Sequence, residues 1–289
     1  MPSASPAPDT LLIGPATLQE WELVRTWAAE EGWNPGASDA PAFFAQDPQG
    51  FFLGRIDGEP VSAISVVNYS DRYAFLGFYL VRPDLRGLGH GLATWRAALP
   101  HAGERTVGLD GVPDQQDNYR RSGFSLAYRT ARYVGEPAAD APAPDVVPAG
   151  EVDPAALAAY DGACHPADRP RFLSAWLTTP GHRALARVTD GRLTGYGVVR
   201  PAQNEARVGP LFADTPADAA ALLDALSYEA RAFGAPGIAI DVPEANPIAA
   251  RLAEERGLEP TFETARMYTG AIRPVARDRV FGVTTLELG

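Results

Sequence analysis

The feature that most restricts this chain is a divergent repeat at an offset of 133–134 residues. FFLGRIDGEPVSAISVV sets two apolar, strand-like runs around Asp57-Gly58, and RALARVTDGRLTGYGVV does the same around Asp190-Gly191. Asp-Gly between such runs signals a hairpin, because both turn residues tolerate positive φ. Further on, Gly123-Phe124 leads to Thr130-Ala131-Arg132, and Gly257-Leu258 leads to Thr264-Ala265-Arg266. Three landmarks held at one offset predict two copies of one fold; the competing reading is two unrelated α/β domains with similar turns. A length of 289 residues accommodates two domains at about 150 residues each.

Each copy has the same order. The first reads as a strand at Leu11–Gly14, a helix from Leu18 to Glu31, a hairpin of Phe51–Asp57 with Val61–Tyr69, and a long strand Tyr73–Val81. A Gly-rich turn into a helix, a strand Thr106–Asp110, a short helix around Tyr119 and a strand Phe124–Val134 complete it. In the second copy Thr215 and Pro216 open a helix to Phe233, as cap and first-turn proline. The pattern predicts an α+β fold with a mixed, mostly antiparallel sheet in each copy. Residues 1–10 read as a disordered Pro/Ala-rich tail, 11–135 as the first domain, 136–150 as a semi-extended linker with a boundary near residue 142, and 151–289 as the second domain.

The composition, 46% hydrophobic and 21% charged, excludes a wholly disordered chain. A net charge of -11 argues against nucleic acid or an anionic membrane, which require a basic face, and is compatible with a cationic acceptor. The lone cysteine, Cys164, excludes an intrachain disulfide and a multi-cysteine metal site, and the four histidines lack metal spacing. No apolar run approaches the ~20 residues of a membrane span. Met1 to Thr10 lacks the basic and apolar regions of a secretory signal. These features lead to the expectation of a cytoplasmic protein, monomeric or homodimeric, without metal.

The chemistry concentrates in LVRPDLRGLGHGLATW, Leu80 to Trp95. A strand ends at Val81, Pro83 stops it, and Arg86-Gly87-Leu88-Gly89-His90-Gly91 opens a helix. Glycines let backbone N–H groups converge and the helix dipole adds positive potential, a combination that cradles a pyrophosphate. A P-loop would need Gly-Lys-Ser/Thr, which is absent. A dinucleotide fingerprint would place its third glycine one residue later, and antiparallel hairpins would not precede it.

Arg-x-x-Gly-x-Gly after a strand ending in Val-x-Pro resembles the acetyl-coenzyme A loop of the GNAT N-acetyltransferases. Asn118-Tyr119-Arg-Arg-Ser-Gly123-Phe124 is similar to a later element of that family, in which a Tyr stands four residues before Gly-Phe. EGWNPG, GLDGV and the closing FGVTTLELG resemble its two-domain bacterial branch, with a second, divergent acetyltransferase-like domain. The resemblance implies that Tyr79, Leu80 and Val81 offer backbone groups to the thioester and pantetheine arm. It also implies that Arg86, Gly87, Leu88, Gly89, His90, Gly91 and Leu92 bind the pyrophosphate, that Asn118 contacts the cofactor arm, and that Tyr119 protonates the departing thiolate. Moving an acetyl group from a thioester to an amine does require a neutral amine, a stabilised oxyanion and a proton for sulfur. A tyrosine, with a pKa of about 10, matches an alkyl thiolate in basicity.

The general base stays open. Family members commonly use a carboxylate near the fourth strand, but Tyr73–Val81 contains none. Asp110 and Glu31 are the candidates, against a turn-capping Asp and a solvated helix-end Glu. Trp33, Asn34 and Tyr69 are candidates for the acceptor pocket. Cys164-His165 reads as a buried thiol beside a loop histidine rather than a catalytic dyad.

At the repeat offset the glycine loop falls on Ala219 to Ala225 and Tyr119 on Ala253, so the second copy is expected to lack both loop and acid. Its helix 215–233 and its tail Phe281–Leu288 are expected to pack on the first lobe and shape the acceptor cleft. Asp241 and Asn246 read as a strand end and helix cap, with a second ligand site as the alternative. The expected activity is acetyl-CoA-dependent N-acetyl transfer to a primary amine of a small molecule or to an exposed amino group, by direct attack in a ternary complex; the competing function is a non-catalytic acyl-CoA-binding sensor or interaction module.

Overall fold

The computed structural model of the chain describes residues 10–137, 143 and 145–289. The expected tail, apart from Thr10, lies outside them, as do residues 138–142 and 144 with the expected boundary. The first lobe runs β1 (Leu12–Pro15), α1 (Leu18–Glu30), α2 (Ala40–Gln46), β2 (Phe51–Ile56), β3 (Glu59–Asn68), β4 (Tyr73–Val81), α3 (His90–Ala98), β5 (Thr106–Gly111), α4 (Gln116–Arg121) and β6 (Ser125–Gly135). The second runs β7 (Val146–Pro148), α5 (Pro154–Cys164), α6 (Pro170–Thr178), β8 (Arg183–Thr189), β9 (Arg192–Arg200), β10 (Ala206–Ala213), α7 (Pro216–Ala230), β11 (Ile238–Pro243), α8 (Pro247–Glu255), β12 (Glu259–Tyr268) and β13 (Val280–Gly282).

Local chemistry accounts for the landmarks. Asp57 and Gly58 have φ of +52° and +88°, and Asp190 and Gly191 +51° and +73°, the left-handed pair a two-residue hairpin demands. Thr215 caps α7 by accepting from the Asp218 amide at 3.2 Å. The linker is shorter than 136–150: Val146 is buried and pairs with Arg187, so β7 is already the edge strand of the second lobe. Pro148 is tolerated there because an edge strand can spare an N–H.

The strands form one sheet in the order β1-β2-β3-β4-β5-β12-β6-β11-β10-β9-β8-β7. The closing strands of the two copies are exchanged. β5 of the first lobe pairs antiparallel with β12 of the second, and β11 of the second with β6 of the first. β6 and β12 also pair with each other, with Thr130 directly opposite its repeat counterpart Thr264, so a local two-fold axis passes between them. Two reciprocal buried ion pairs follow. Arg132 Nε donates to Asp241 at 2.8 Å, and Arg266 donates to both oxygens of Asp110 at 2.8 and 2.7 Å.

The lobes also share a core. Trp21 of α1, Phe43 of α2, Phe51 and Phe78 pack with Phe172 and Trp176 of α6, all buried. Helix α7 differs from expectation: Leu222, Leu223 and Leu226 bury against its own lobe's strands, because its apolar stripe matches that sheet and not the first lobe. Among the described residues no helix is long and apolar enough to cross a membrane.

In each lobe the parallel pair holds for three residues and then parts. β4 and β5 pair from Tyr73↔Thr106 to Phe75↔Gly108, and β10 and β11 from Ala206↔Ile238 to Val208↔Ile240. In the second lobe β13 enters this wedge, with Leu211 opposite Gly282 and Phe212 opposite Val280. The fit is tight: a Cβ on Gly282 would lie 2.8 Å from the Ile240 side chain. In the first lobe no strand of the described residues enters, and the wedge stays open.

Candidate active site

The opening in the first lobe begins with a bulge. Ala63 and Ser65 of β3 face Leu80 and Gly77, so β4 carries one extra residue, and Phe78 takes φ +46°. A bulge bends its strand, and here it carries β4 away from β5. The resulting cleft has a cavity volume of about 70 Å³. Gly77, Phe78 and Tyr79 form one wall, and Leu109, Asp110 and Tyr119 the other. Trp33 closes one end, while Phe262, Thr264, Leu286 and Glu287 come from the second half of the chain.

Tyr119 is 8% exposed, stacked on Trp95 at 5.8 Å between ring centroids with Phe124 edge-on. Its ring needs the space a side chain at Gly111 would take, since a Cβ there would approach it to 2.8 Å. Among the described residues its hydroxyl has no hydrogen-bond partner. Burial, with a smaller contribution from Tyr79, raises its pKa above the ordinary 10 and keeps the proton on. A phenol held protonated and facing a cleft is a proton donor in waiting.

In the turn that leads into α3, Gly87 and Gly89 take φ of +78° and +87°, and Gly89 caps α3 from the left-handed region. The first helical bond runs from the Ala93 amide to the Gly89 carbonyl at 3.0 Å. The amides of residues 87–92 therefore precede the helix ladder and have no acceptor among the described residues, which leaves converging donors for an anion. Gly91 is held against the strand, where a Cβ would come within 2.7 Å of the Tyr79 hydroxyl. Leu88 and Leu92 are exposed at the surface of the turn. His90 is the first residue of α3. Leu80 is buried.

Other expected residues have different occupations. Arg86 folds back, donating from Nε to the Val81 carbonyl at 3.0 Å and pairing with Glu31, so that carbonyl and Glu31 are both engaged. Asn118 lies outside the cleft lining; its amide donates to Gln115 at 2.8 Å and its carbonyl oxygen accepts from Arg121. Asp110 does reach the cleft, but both its oxygens accept from Arg266. Against desolvation, Asp110 holds Arg266 protonated well above its ordinary range. Burial raises the Asp110 carboxyl above its usual range against the pull of Arg266, and its repeat counterpart Asp241 has the same ion-pairing task with Arg132 and Arg207. The structure thus places Asp110, expected as the general base, in an ion pair that joins the lobes at the cleft.

Of the three residues expected at the acceptor pocket, Trp33 lines the cleft and two do not. Asn34 is buried and ties the lobes, donating to the Glu205 carbonyl at 3.1 Å and accepting from the Asn204 amide at 3.0 Å. Tyr69 donates its hydroxyl to the Leu288 carbonyl at 2.9 Å. Cys164 is buried, and burial ahead of Asp161 pushes its thiol up to about 12. His101 pairs with Asp47 at 2.8 Å, and the rings of His165 and His182 contact the Ala167 and Trp176 carbonyls at 2.9 Å. Asn246 caps α8, accepting from the Ile248 amide at 3.2 Å. Among the described residues no group of three or more metal-ligating side chains occurs.

The segment after β13 delivers Leu286 and Glu287. It runs past a glycine in each lobe: a Cβ on Gly209 would lie 2.2 Å from the Thr284 carbonyl oxygen, and one on Gly77 would lie 1.8 Å from that of Glu287. That this tail shapes the cleft was legible in the sequence. That Glu287 is the residue presented there was not, since no motif surrounds it.

Comparison with known proteins fits this architecture. Residues 18–124 match the model of the acetyltransferase (GNAT) family, and residues 157–282 that of an acetyltransferase (GNAT) domain. Holothin acyltransferase of Pseudoalteromonas sp. (strain SANK 73390) is 35% identical over 280 residues, covering 95% of this chain and 93% of that protein. The crystal structure of a putative acetyltransferase from Pyrococcus horikoshii superposes with a TM-score of 0.82 at 23% identity, over 99% of both chains. A tandem GNAT protein from the clavulanic acid biosynthesis pathway does so with a TM-score of 0.63 at 21% identity, over 91% of this chain and 99% of that one. The chain belongs to the GNAT acyltransferases, as a tandem member with two GNAT domains.

Proposed function

We propose that the first lobe transfers an acetyl group from acetyl-coenzyme A to a primary amine of a compact small molecule by direct attack, with no acyl-enzyme. One observation carries this reading: Tyr79 lines the same cleft as the protonated Tyr119, and its hydroxyl lies against Gly91 of the turn whose amides 87–92 are unpaired. The residues fit the donor. Arg86, Gly87, Leu88, Gly89, His90, Gly91 and Leu92 form the turn that would hold its pyrophosphate. Tyr79, Leu80 and Val81 form the strand along which its arm would lie, and Asn118 of α4 would have to release Gln115 and Arg121 to contact it. When bound, acetyl-coenzyme A supplies the activated acyl carbon. Tyr119 gives its hydroxyl proton to sulfur as the carbon–sulfur bond breaks, and the apolar walls exclude water that would hydrolyse the thioester. A covalent route through Cys164 lacks support, because that thiol is buried, un-ionised and absent from the cleft. The relative named for holothin supports a small-molecule acceptor.

The test is a melting curve with and without acetyl-coenzyme A, followed by release of free thiol from an amine panel. The donor raises Tm, thiol appears with an accepted amine, and Tyr119→Phe lowers kcat about 10²–10⁴-fold with the Tm shift intact. A protein that acetyl-coenzyme A does not stabilise overturns the reading.

A further inference from the structure

Two carboxylates line the cleft, and they are in opposite situations. Asp110 is bound at both oxygens by Arg266. Glu287 is 4% exposed and, among the described residues, receives no hydrogen bond and makes no ion pair. Its place is set by the backbone around it: Leu288 N–H donates to Thr285 Oγ1 at 2.8 Å, Tyr69 holds the Leu288 carbonyl, and Gly77 leaves room for the Glu287 carbonyl. A buried carboxylate left without a donor is costly. It persists where a segment fixed on both sides holds it facing a cavity.

We propose that Glu287 is the general base, taking the proton from the acceptor amine in the same cleft where Tyr119 serves the sulfur, so that the second half of the chain completes the first lobe's active site. This rests on the acyl-transfer reading above. As the nitrogen–carbon bond forms, a proton passes from nitrogen to a Glu287 oxygen; as the carbon–sulfur bond breaks, sulfur takes the Tyr119 proton. Solvent then removes the proton from Glu287 and returns one to Tyr119, so the net movement is one amine proton to sulfur.

The surroundings suit the role. Burial pushes the Glu287 carboxyl above its usual 4.5, with Arg207 of β10 and Arg132 of β6 opposing and Asp241 of β11 and Asp39 before α2 reinforcing the rise. Asp110, Tyr79 and Tyr119 face it across the cleft. A raised carboxyl approaches the pKa at which a base works best near neutral pH.

Glu287→Gln is the test, because it keeps the shape and removes the charge. The wild-type carboxyl has a higher pKa folded than unfolded, so its ionisation lowers stability as pH rises from about 4.5 through the folded value. The variant without ligand therefore melts higher than wild type at neutral pH, a difference that shrinks on acidification, and its shift with acetyl-coenzyme A equals wild type's. Its kcat at saturating amine falls about 10²–10⁴-fold and the acid limb of the kcat profile disappears, while Glu287→Asp restores part of both. A Gln variant with wild-type kcat and acid limb overturns the assignment and leaves acyl transfer standing. A Gln variant that melts lower at neutral pH makes the residue structural and also overturns it. Wild type that binds acetyl-coenzyme A and turns over no amine overturns both readings.

Discussion

The two lobes part their parallel strands at corresponding places and put the gap to opposite uses. In the first, the β4 bulge opens a cleft lined by Tyr79 and Tyr119. In the second, β13 fills the wedge, α7 starts without glycines, and the position of Tyr119 is occupied by the buried Ala253. The splay is thus a property of the fold, and binding is a property of what is left out of it. The strand that plugs one wedge continues into the segment that furnishes the other with Glu287.

The largest test of this contrast is charge at the two helix starts. Gly89→Glu forces a side chain into a left-handed position and sets a carboxylate where phosphate would bind. It weakens acetyl-coenzyme A binding about 10³-fold by titration calorimetry, since like charges in contact cost several kcal/mol. Ala217→Glu, exposed at the start of α7, leaves binding unchanged. Loss of binding in the second variant would mean that the plugged lobe also holds the donor.

Next come the reciprocal ion pairs. Asp110→Asn and Asp241→Asn each strand a buried arginine and lower stability by about 3–5 kcal/mol in urea melts. Because Asp241 serves both Arg132 and Arg207, its loss costs more. At temperatures where it remains folded, the Asp110 variant keeps the acid limb of kcat. Loss of that limb without loss of stability would make Asp110 the base and break its equivalence with Asp241.

A smaller effect separates the two glycines under the closing segment. Gly77→Ala and Gly209→Ala each cost about 1–3 kcal/mol by displacing a carbonyl. The first also lowers kcat, because it moves Glu287; the second lowers it less, because it acts at Thr284. Equal kcat losses would show that the segment moves as one rigid piece. Smallest is the effect at Cys164: with its pKa pushed up to about 12 and its side chain buried, the folded protein reacts with no thiol reagent near neutral pH, and the denatured chain exposes one thiol.

What the sequence made legible was local or periodic. Asp-Gly pairs specify their turns by backbone preference alone, and the glycine run after Val81 specifies an amide-lined helix start. The exchange of β6 and β12 was not legible. Both strands carry the same Thr-Ala-Arg landmark and alternate alike, so nothing in either distinguishes its own lobe's neighbour from the other's. The ion pair of Asp110 was not legible for the same reason: its partner, Arg266, becomes adjacent only through the exchange. Asn34 and Tyr69 read as pocket residues in the sequence because aromatic and amide side chains near a site look the same whether they meet a ligand or a distant carbonyl.

The exchanged strands also govern how the protein is made. Gly111 pairs with Ala265, so β5 leaves the ribosome long before its antiparallel neighbour exists. At ordinary rates of translation that edge stays unpaired for on the order of ten seconds. An uncovered strand edge recruits other strands, including those of sister chains. A cut between the lobes would likewise release two sheets, each lacking a strand that the other holds. The natural seam of this molecule therefore runs across its duplication and not between the copies, since the closing strand of each half pairs with strands of the other.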